Sequence, residues 1–176
     1  MPWRDRRMLL LPLPKKSYRA VFDITPAELR SHGAAGLLVD LDNTLAPYGA
    51  RALSGAVAHW LESLKAEGIG VLVVSNGKRR RVEGFCSRAG IEFVCSAGKP
   101  RRRGLLEGAK KLGLPQGRVA VAGDQIFTDV LGAVRCGMIP LIVNPGSMTK
   151  NPLFMLRRLI ELPFILLSQN SGAEKK

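Results

Sequence analysis

The sequence predicts a three-layer α/β domain on a mainly parallel sheet, and three observations predict it. Short apolar runs such as GLLV, GVLVV and VAVAG show no polar alternation, the mark of strands buried on both faces. Stretches with helical spacing separate these runs, so each strand reaches the next by a right-handed crossover. The main runs also end in polar residues, which gathers chemistry at one end of the sheet.

The elements follow in order. TPAELRSHG reads as a short helix: Thr25 caps it, Pro26 opens it, Glu28 completes a capping box and Gly33 ends it. A strand is expected over 37–41. SGAVAHWLESLKAEG (54–68) has apolar residues at 57, 60, 61 and 64, a helical face. IGVLVVSNG (69–77) is a strand running into a polar turn, followed by a helix near 79–89, a strand IEFVC and a helix over 101–112. RVAVAGDQ (118–125) is a strand, FTDVLGAVRCG a helix and IPLIVNP the last strand.

Composition bounds the function. The chain has 176 residues, enough for one domain with a proper core, and 46% hydrophobic with 23% charged residues excludes general disorder. Its three cysteines, Cys86, Cys95 and Cys136, form no CxxC pair and point to free thiols rather than zinc or disulfides. A formal charge of +13 favours polyanionic partners: nucleic acid, an anionic membrane surface or phosphorylated substrates. No apolar stretch is long enough to span a membrane. The N-terminal MPWRDRRMLLLPLPKK mimics a signal peptide, but its apolar part is short and holds Pro12 and Pro14, so a cytoplasmic protein is expected.

The strand ends hold the chemistry. Asp40 and Asp42 follow one strand and, by alternation, face the same side. Ser75 and Asn76 follow the next, Lys99 follows IEFVC within SAGKP, and Asp124 follows VAVAG. Acids that hold Mg²⁺, with a lysine and a hydroxyl for phosphoryl oxygens, suit phosphoryl transfer. Singly, each has a plainer reading: a turn at Ser75–Asn76, a surface lysine, a strand-end turn at Asp124, a helix cap at Asp129.

DLDNT (40–44), VVSN, GKP and GDQIFTD resemble, in order, the four motifs of the haloacid dehalogenase (HAD) superfamily. The resemblance spans roughly residues 16 to 150 and is most similar to the IIIA-type phosphatases of the YqeG kind, a group that includes phosphatidylglycerophosphate phosphatases. It implies a HAD-like Rossmannoid fold and a Mg²⁺-dependent phosphatase. Asp40 would be the nucleophile and Asp42 the general acid and base, with Ser75 and Lys99 binding the phosphoryl group. Thr44, Asn76 and Gly77 would border that group. Asp40, the carbonyl of Asp42 and Asp124 would hold the metal, with Asp129 supplying charge where Gln125 replaces a second acid found in many members.

Two further features concern the substrate. Superfamily members acting on small metabolites usually carry a cap domain; here the 35-residue step from Asp40 to Ser75 and the 24-residue step to Lys99 leave room for none. The basic runs GKRRR (77–81) and PRRR (100–103) follow strand ends, which puts Arg79, Arg80, Arg81, Arg101, Arg102 and Arg103 on the catalytic side. Few aromatics accompany them, so a single-strand stacking platform is not evident. NPLFMLRRLIELPFILLS (151–168), with Asn151 as N-cap, reads as an amphipathic helix, either lying in a membrane interface or packing on the domain. Trp3 and MLLL offer a second interfacial contact.

The expected organisation is a basic and apolar segment (1–15), a capless HAD-like phosphatase domain (16–150), an amphipathic helix (151–168) and a tail (169–176). The expected activity is hydrolysis of a phosphorylated lipid, phosphatidylglycerophosphate, at the inner face of an anionic membrane. A phosphatase for protein or nucleic-acid phosphates and an idle RNA-binding module are the alternatives.

Overall fold

A computed structural model describes residues 13–144. Six strands form one sheet: β1 (Lys16–Tyr18), β2 (Gly36–Val39), β3 (Gly70–Val74), β4 (Phe93–Val94), β5 (Val119–Gly123) and β6 (Ile139–Val143). Their order is β1-β6-β5-β2-β3-β4, and every neighbouring pair is parallel. Helices α1 (Pro26–Ser31), α2 (Gly55–Ala66), α3 (Arg79–Ala89), α4 (Arg102–Lys111) and α5 (Leu131–Cys136) make the connections.

The absence of polar alternation has the expected cause. All four residues of β2 are buried. Leu37 and Val39 pack with Val57, Trp60, Val82 and Phe85 on the α2–α3 side, whereas Leu38 packs with Leu105, Ala109 and Ala133 on the α4–α5 side. From β2 the chain winds outward through β3 and β4, then returns through α4 to β5 on the other side. The crevice where the winding reverses lies beyond the carboxyl ends of β2 and β5.

Local chemistry sets the helix ends. Thr25 Oγ1 accepts from Glu28 N at 3.2 Å and Ser54 Oγ accepts from Val57 N at 3.3 Å, so α1 and α2 start on side-chain caps. Helices α3 and α4 have none: Lys78 and Arg101 stand at their N-caps, and no acid lies in either first turn. Cations there oppose the helix dipole, a local cost with no local return.

The structure departs from the sequence expectations in several places. The capping box is only half formed, because the Glu28 carboxylate accepts from Lys16 Nζ and Tyr18 OH while Thr25 N donates to Asp23 O. β1 escaped notice because a three-residue strand carries no period; it lies beside β6 at the sheet edge. β2 ends at Val39, not at residue 41. Asp40 N still donates to Ala122 O at 2.8 Å, but Leu45 N and Ala46 N both turn back onto Leu41 O, so Asp42 sits in a tight loop. The FTDVLGAVRCG helix divides into a π-helical turn (Ile126–Val130) and α5.

No helix among the described residues is long and apolar enough to cross a membrane. The 151–168 helix and the Trp3–MLLL contact lie outside the described residues.

Close packing of α4 against the loop after β4 depends on one glycine. A Cβ on Gly104 would stand 2.7 Å from both the Cα and the carbonyl oxygen of Ala97, which are backbone atoms that cannot swing away. Gly104→Ala is expected to destabilise the domain by roughly 1–3 kcal/mol, read as a lower denaturant midpoint at unchanged slope. An unchanged midpoint would mean that the loop yields freely.

Candidate active site

The strand ends converge as anticipated. A cleft of about 90 Å³ is lined by Asp40, Asp42, Ser75, Asn76, Gly77, Lys99, Gln125, Thr128 and Asp129. At its floor Lys99 Nζ donates to Asp40 Oδ1 and to Asp129 Oδ1, each at 2.6 Å. All three side chains are largely out of solvent, and Asp124 is buried beside them.

Each group is held from behind. Asn76 braces Lys99 at both ends of its amide: Nδ2 donates to Lys99 O at 3.0 Å, and Oδ1 accepts from Lys99 N at 2.7 Å. The Ser75 hydroxyl accepts from Gly77 N at 3.0 Å, which leaves its own proton for a ligand in the cleft. Asp129 Oδ2 accepts from Gln125 N at 3.2 Å and from Thr128 Oγ1 at 3.4 Å. Asp129, inside the π-helical turn and not at its N-cap, thus ties down the Gln125 amide with one oxygen and binds Lys99 with the other. Its approach to β5 requires Gly123, because any Cβ there would overlap the Asp129 carboxyl group.

Carboxylate oxygens of Asp40, Asp124 and Asp129 all lie within 4.8 Å of one another. Three carboxylates against one ammonium leave two negative charges in a buried space, the charge that one divalent cation cancels. The donors are all hard oxygens, which suits Mg²⁺, Mn²⁺ or Ca²⁺ rather than a soft metal. The residues therefore fit a divalent cation. Burial pushes Asp40 up to about 6, with Lys99 opposing the rise and Asp129 adding to it. Burial works against the Lys99 ammonium, but Asp129 and Asp40 outweigh it and hold its pKa above the ordinary lysine value. The Asp42 side chain is outside this cluster; it pairs with Arg81.

The remaining sequence candidates are scattered. Thr44 is buried, and its hydroxyl has no hydrogen-bond partner among the described residues. Arg79, Arg80, Arg101 and Arg102 are exposed, and none lines the cleft. Arg79 and Arg103 instead border a separate groove of about 930 Å³ along β4. Arg81 and Tyr48 were missed as a pair, because no sequence spacing joins a loop aromatic to a helix arginine 33 positions later.

The model for a haloacid dehalogenase-like hydrolase matches residues 16–137. The chain belongs to that family. Probable phosphatase YqeG of Bacillus subtilis (strain 168) is 33% identical over 160 residues, covering 91% of this chain and 93% of that protein. A HAD family hydrolase from Deinococcus radiodurans R1, solved with bound phosphate and sodium, superposes with a TM-score of 0.54 at 17% identity, over 73% of this chain and 89% of that one. The cobalt-bound deoxy-D-mannose-octulosonate 8-phosphate phosphatase of Haemophilus influenzae gives 0.51 at 15% identity, over 82% and 95%. At such identities the two structures speak for the fold alone. The HAD fold is thus established, and the chain is an enzyme of the HAD phosphatase type.

In this HAD enzyme the buried negative charge makes a cation test direct. Mg²⁺ at about a hundred times its dissociation constant contributes about 2.7 kcal/mol to folding. A Tm rise of roughly 5–10 °C is therefore expected on adding Mg²⁺ to metal-stripped protein. Asp124→Asn will remove most of that rise. A Tm indifferent to Mg²⁺ and Mn²⁺ would show that the cluster takes up no divalent cation.

Proposed function

We propose that the protein is a Mg²⁺-dependent phosphomonoester hydrolase that works through an aspartyl-phosphate on phosphatidylglycerophosphate at an anionic membrane surface. The observation that carries the chemistry is the Lys99 ammonium held between Asp40 and Asp129, with Ser75 across the cleft.

Lys99 holds Oδ1 of Asp40, and in this reading Oδ2 is the attacking oxygen. It forms a bond to phosphorus as the ester P–O bond breaks, and Asp42 gives its proton to the departing alkoxide. Asp42 then takes a proton from water, whose oxygen attacks the same phosphorus and restores the Asp40 carboxylate with release of inorganic phosphate. Lys99 and the Ser75 hydroxyl bind phosphoryl oxygens throughout. Asp40, Asp124 and Asp129 would hold the Mg²⁺, which when bound neutralises charge on the phosphoryl group.

Three features support a substrate at a bilayer. Between β2 and β3 lie only a loop and α2, and between β3 and β4 only α3, so no folded cap covers the cleft from either crossover. Arg79, Arg80, Arg101, Arg102 and Arg103 are exposed in the first turns that follow β3 and β4. Because the sheet is parallel, β6 also ends on the catalytic side, and the apolar sequence 151–168 follows it in the chain.

Asp40→Asn keeps size and polarity but removes the attacking charge. Turnover is expected to fall by about three orders of magnitude or more with circular dichroism unchanged, and near-normal turnover would refute the mechanism. Asp42→Asn is expected to spare aryl phosphates, whose leaving groups depart unprotonated, more than alkyl phosphates. Equal losses on both would remove Asp42 from the acid role. Replacing the five exposed arginines by glutamine is expected to weaken co-sedimentation with anionic vesicles about tenfold or more at low salt and less at high salt. Unchanged vesicle binding with lost RNA binding would favour a nucleic-acid substrate.

A further inference from the structure

The basic run after β3 does not act as a unit. Arg79 and Arg80 stand in solvent, whereas Arg81 folds onto the cleft rim and its side chain is only 27% exposed. Its Nη2 donates to Asp42 Oδ1. Its guanidinium carbon lies 4.8 Å from the centre of the Tyr48 ring, within cation–π range. Its Nε–H is buried and has no acceptor among the described residues. Arginine offers five N–H donors in a planar fork, and at the exposed part of the Arg81 side chain those not engaged by Asp42 can meet an anion.

Position gives this arrangement meaning. Asp42 lines the cleft, while Arg81 and Tyr48 do not. One Asp42 oxygen faces Gly77, 4.0 Å from where a Cβ would stand, and the other is turned to Arg81. In the phosphatase reading Asp42 delivers the proton to the leaving oxygen, so Arg81 lies on the leaving-group side of the reacting phosphorus. Tyr48, in the loop between β2 and α2, is 68% exposed and is one of two large apolar side chains left in solvent among the described residues. Its ring lies against the guanidinium and restricts where the fork can go.

We propose that Arg81 and Tyr48 form a leaving-group subsite that selects phosphomonoesters whose alcohol carries a second anionic oxygen group. Arg81 keeps Asp42 with one N–H and gives its remaining donors to that second anion, so it is a specificity-determining residue. A neutral alcohol gains nothing from the fork. A phosphodiester, as in a lipid headgroup, and a carboxylate, as in a soluble acid, share the required chemistry. The proposal rests on the phosphatase reading for its orientation, and binding tests it separately from turnover.

The experiment titrates Mg²⁺-loaded full-length protein with three non-hydrolysable glycerol phosphonates: unsubstituted, bearing a methyl phosphodiester, and bearing a carboxylate. Wild type is expected to bind the two charged probes about tenfold or more tighter than the neutral one, the scale of one charge-assisted hydrogen bond. Which charged probe binds tighter identifies the natural source of the anion. Arg81→Gln abolishes the difference, and Arg81→Lys restores part of it, having charge without a planar fork. Tyr48→Ala, which leaves the Asp42 pair in place, narrows the difference and guards against misfolding of the arginine variants. With the matching hydrolysable esters, Arg81→Gln raises KM for the charged substrate alone and changes kcat for both by one factor. Equal binding of all three probes by wild type, or by no probe at all, overturns the proposal. So does a preference that survives Arg81→Gln, or kcat losses with KM unchanged, which would make Arg81 a brace for Asp42 only. Absence of turnover on every phosphomonoester, with the binding preference intact, would refute the phosphatase reading and leave the anion subsite standing.

Discussion

One ammonium group organises the site. Lys99 contacts Asp40 and Asp129 at 2.6 Å each, in a space from which water is nearly excluded. Carboxylates this close repel each other strongly at low dielectric, and a buried charge without a partner costs several kcal/mol. Lys99 cannot relax away, because Asn76 grips its backbone through two hydrogen bonds. The arrangement still leaves an excess of negative charge around Asp40, Asp124 and Asp129, which makes the same cluster receptive to a divalent cation.

Much of the fold is arranged to deliver these groups. β2 brings Asp40, the turn after β3 brings Ser75 and Asn76, the loop after β4 brings Lys99, and β5 with its π-helical turn brings Asp124 and Asp129. A π-helical turn widens the helix by one residue and is common where a side chain must be re-aimed. Here it lets Asp129 meet Lys99 with one oxygen while the other accepts from Gln125 N. Gly123 and Gly104 are small for the same purpose, one making room for Asp129 and the other for the Ala97 backbone.

The charge outside the cleft works at longer range. Exposed arginines on α3 and α4 begin helices that would prefer acids in those turns. They follow the carboxyl ends of β3 and β4 and lie outside the cleft itself. Their field is screened over roughly 8 Å at physiological salt, a range suited to attraction rather than to detailed selection. Selection needs contact, and Arg81 with Tyr48 is the place at the rim where a guanidinium is oriented.

The sequence alone determined the layers, the parallel sheet and the four clusters of polar residues at strand ends. Those features are local: unbroken apolar runs mark doubly buried strands, and residues following a strand must lie at its carboxyl end. The helix at 54–68 was legible from its spacing and those near 79–89 and 101–112 from their places between strands, and all three were observed within one or two residues. The sequence did not determine β1, which is too short to show a period, or the end of β2, which depends on Leu41 accepting from both Leu45 and Ala46. It could not place Asp129, because that depends on Lys99 from 30 positions earlier; tertiary structure sets Asp129 inside the π-helical turn, one oxygen on Lys99 and the other accepting from Gln125 N. Nor could it separate Arg81 from its neighbours. Three consecutive arginines look alike in a string, but successive residues on a helix point about 100° apart, and only the third meets Asp42 and Tyr48.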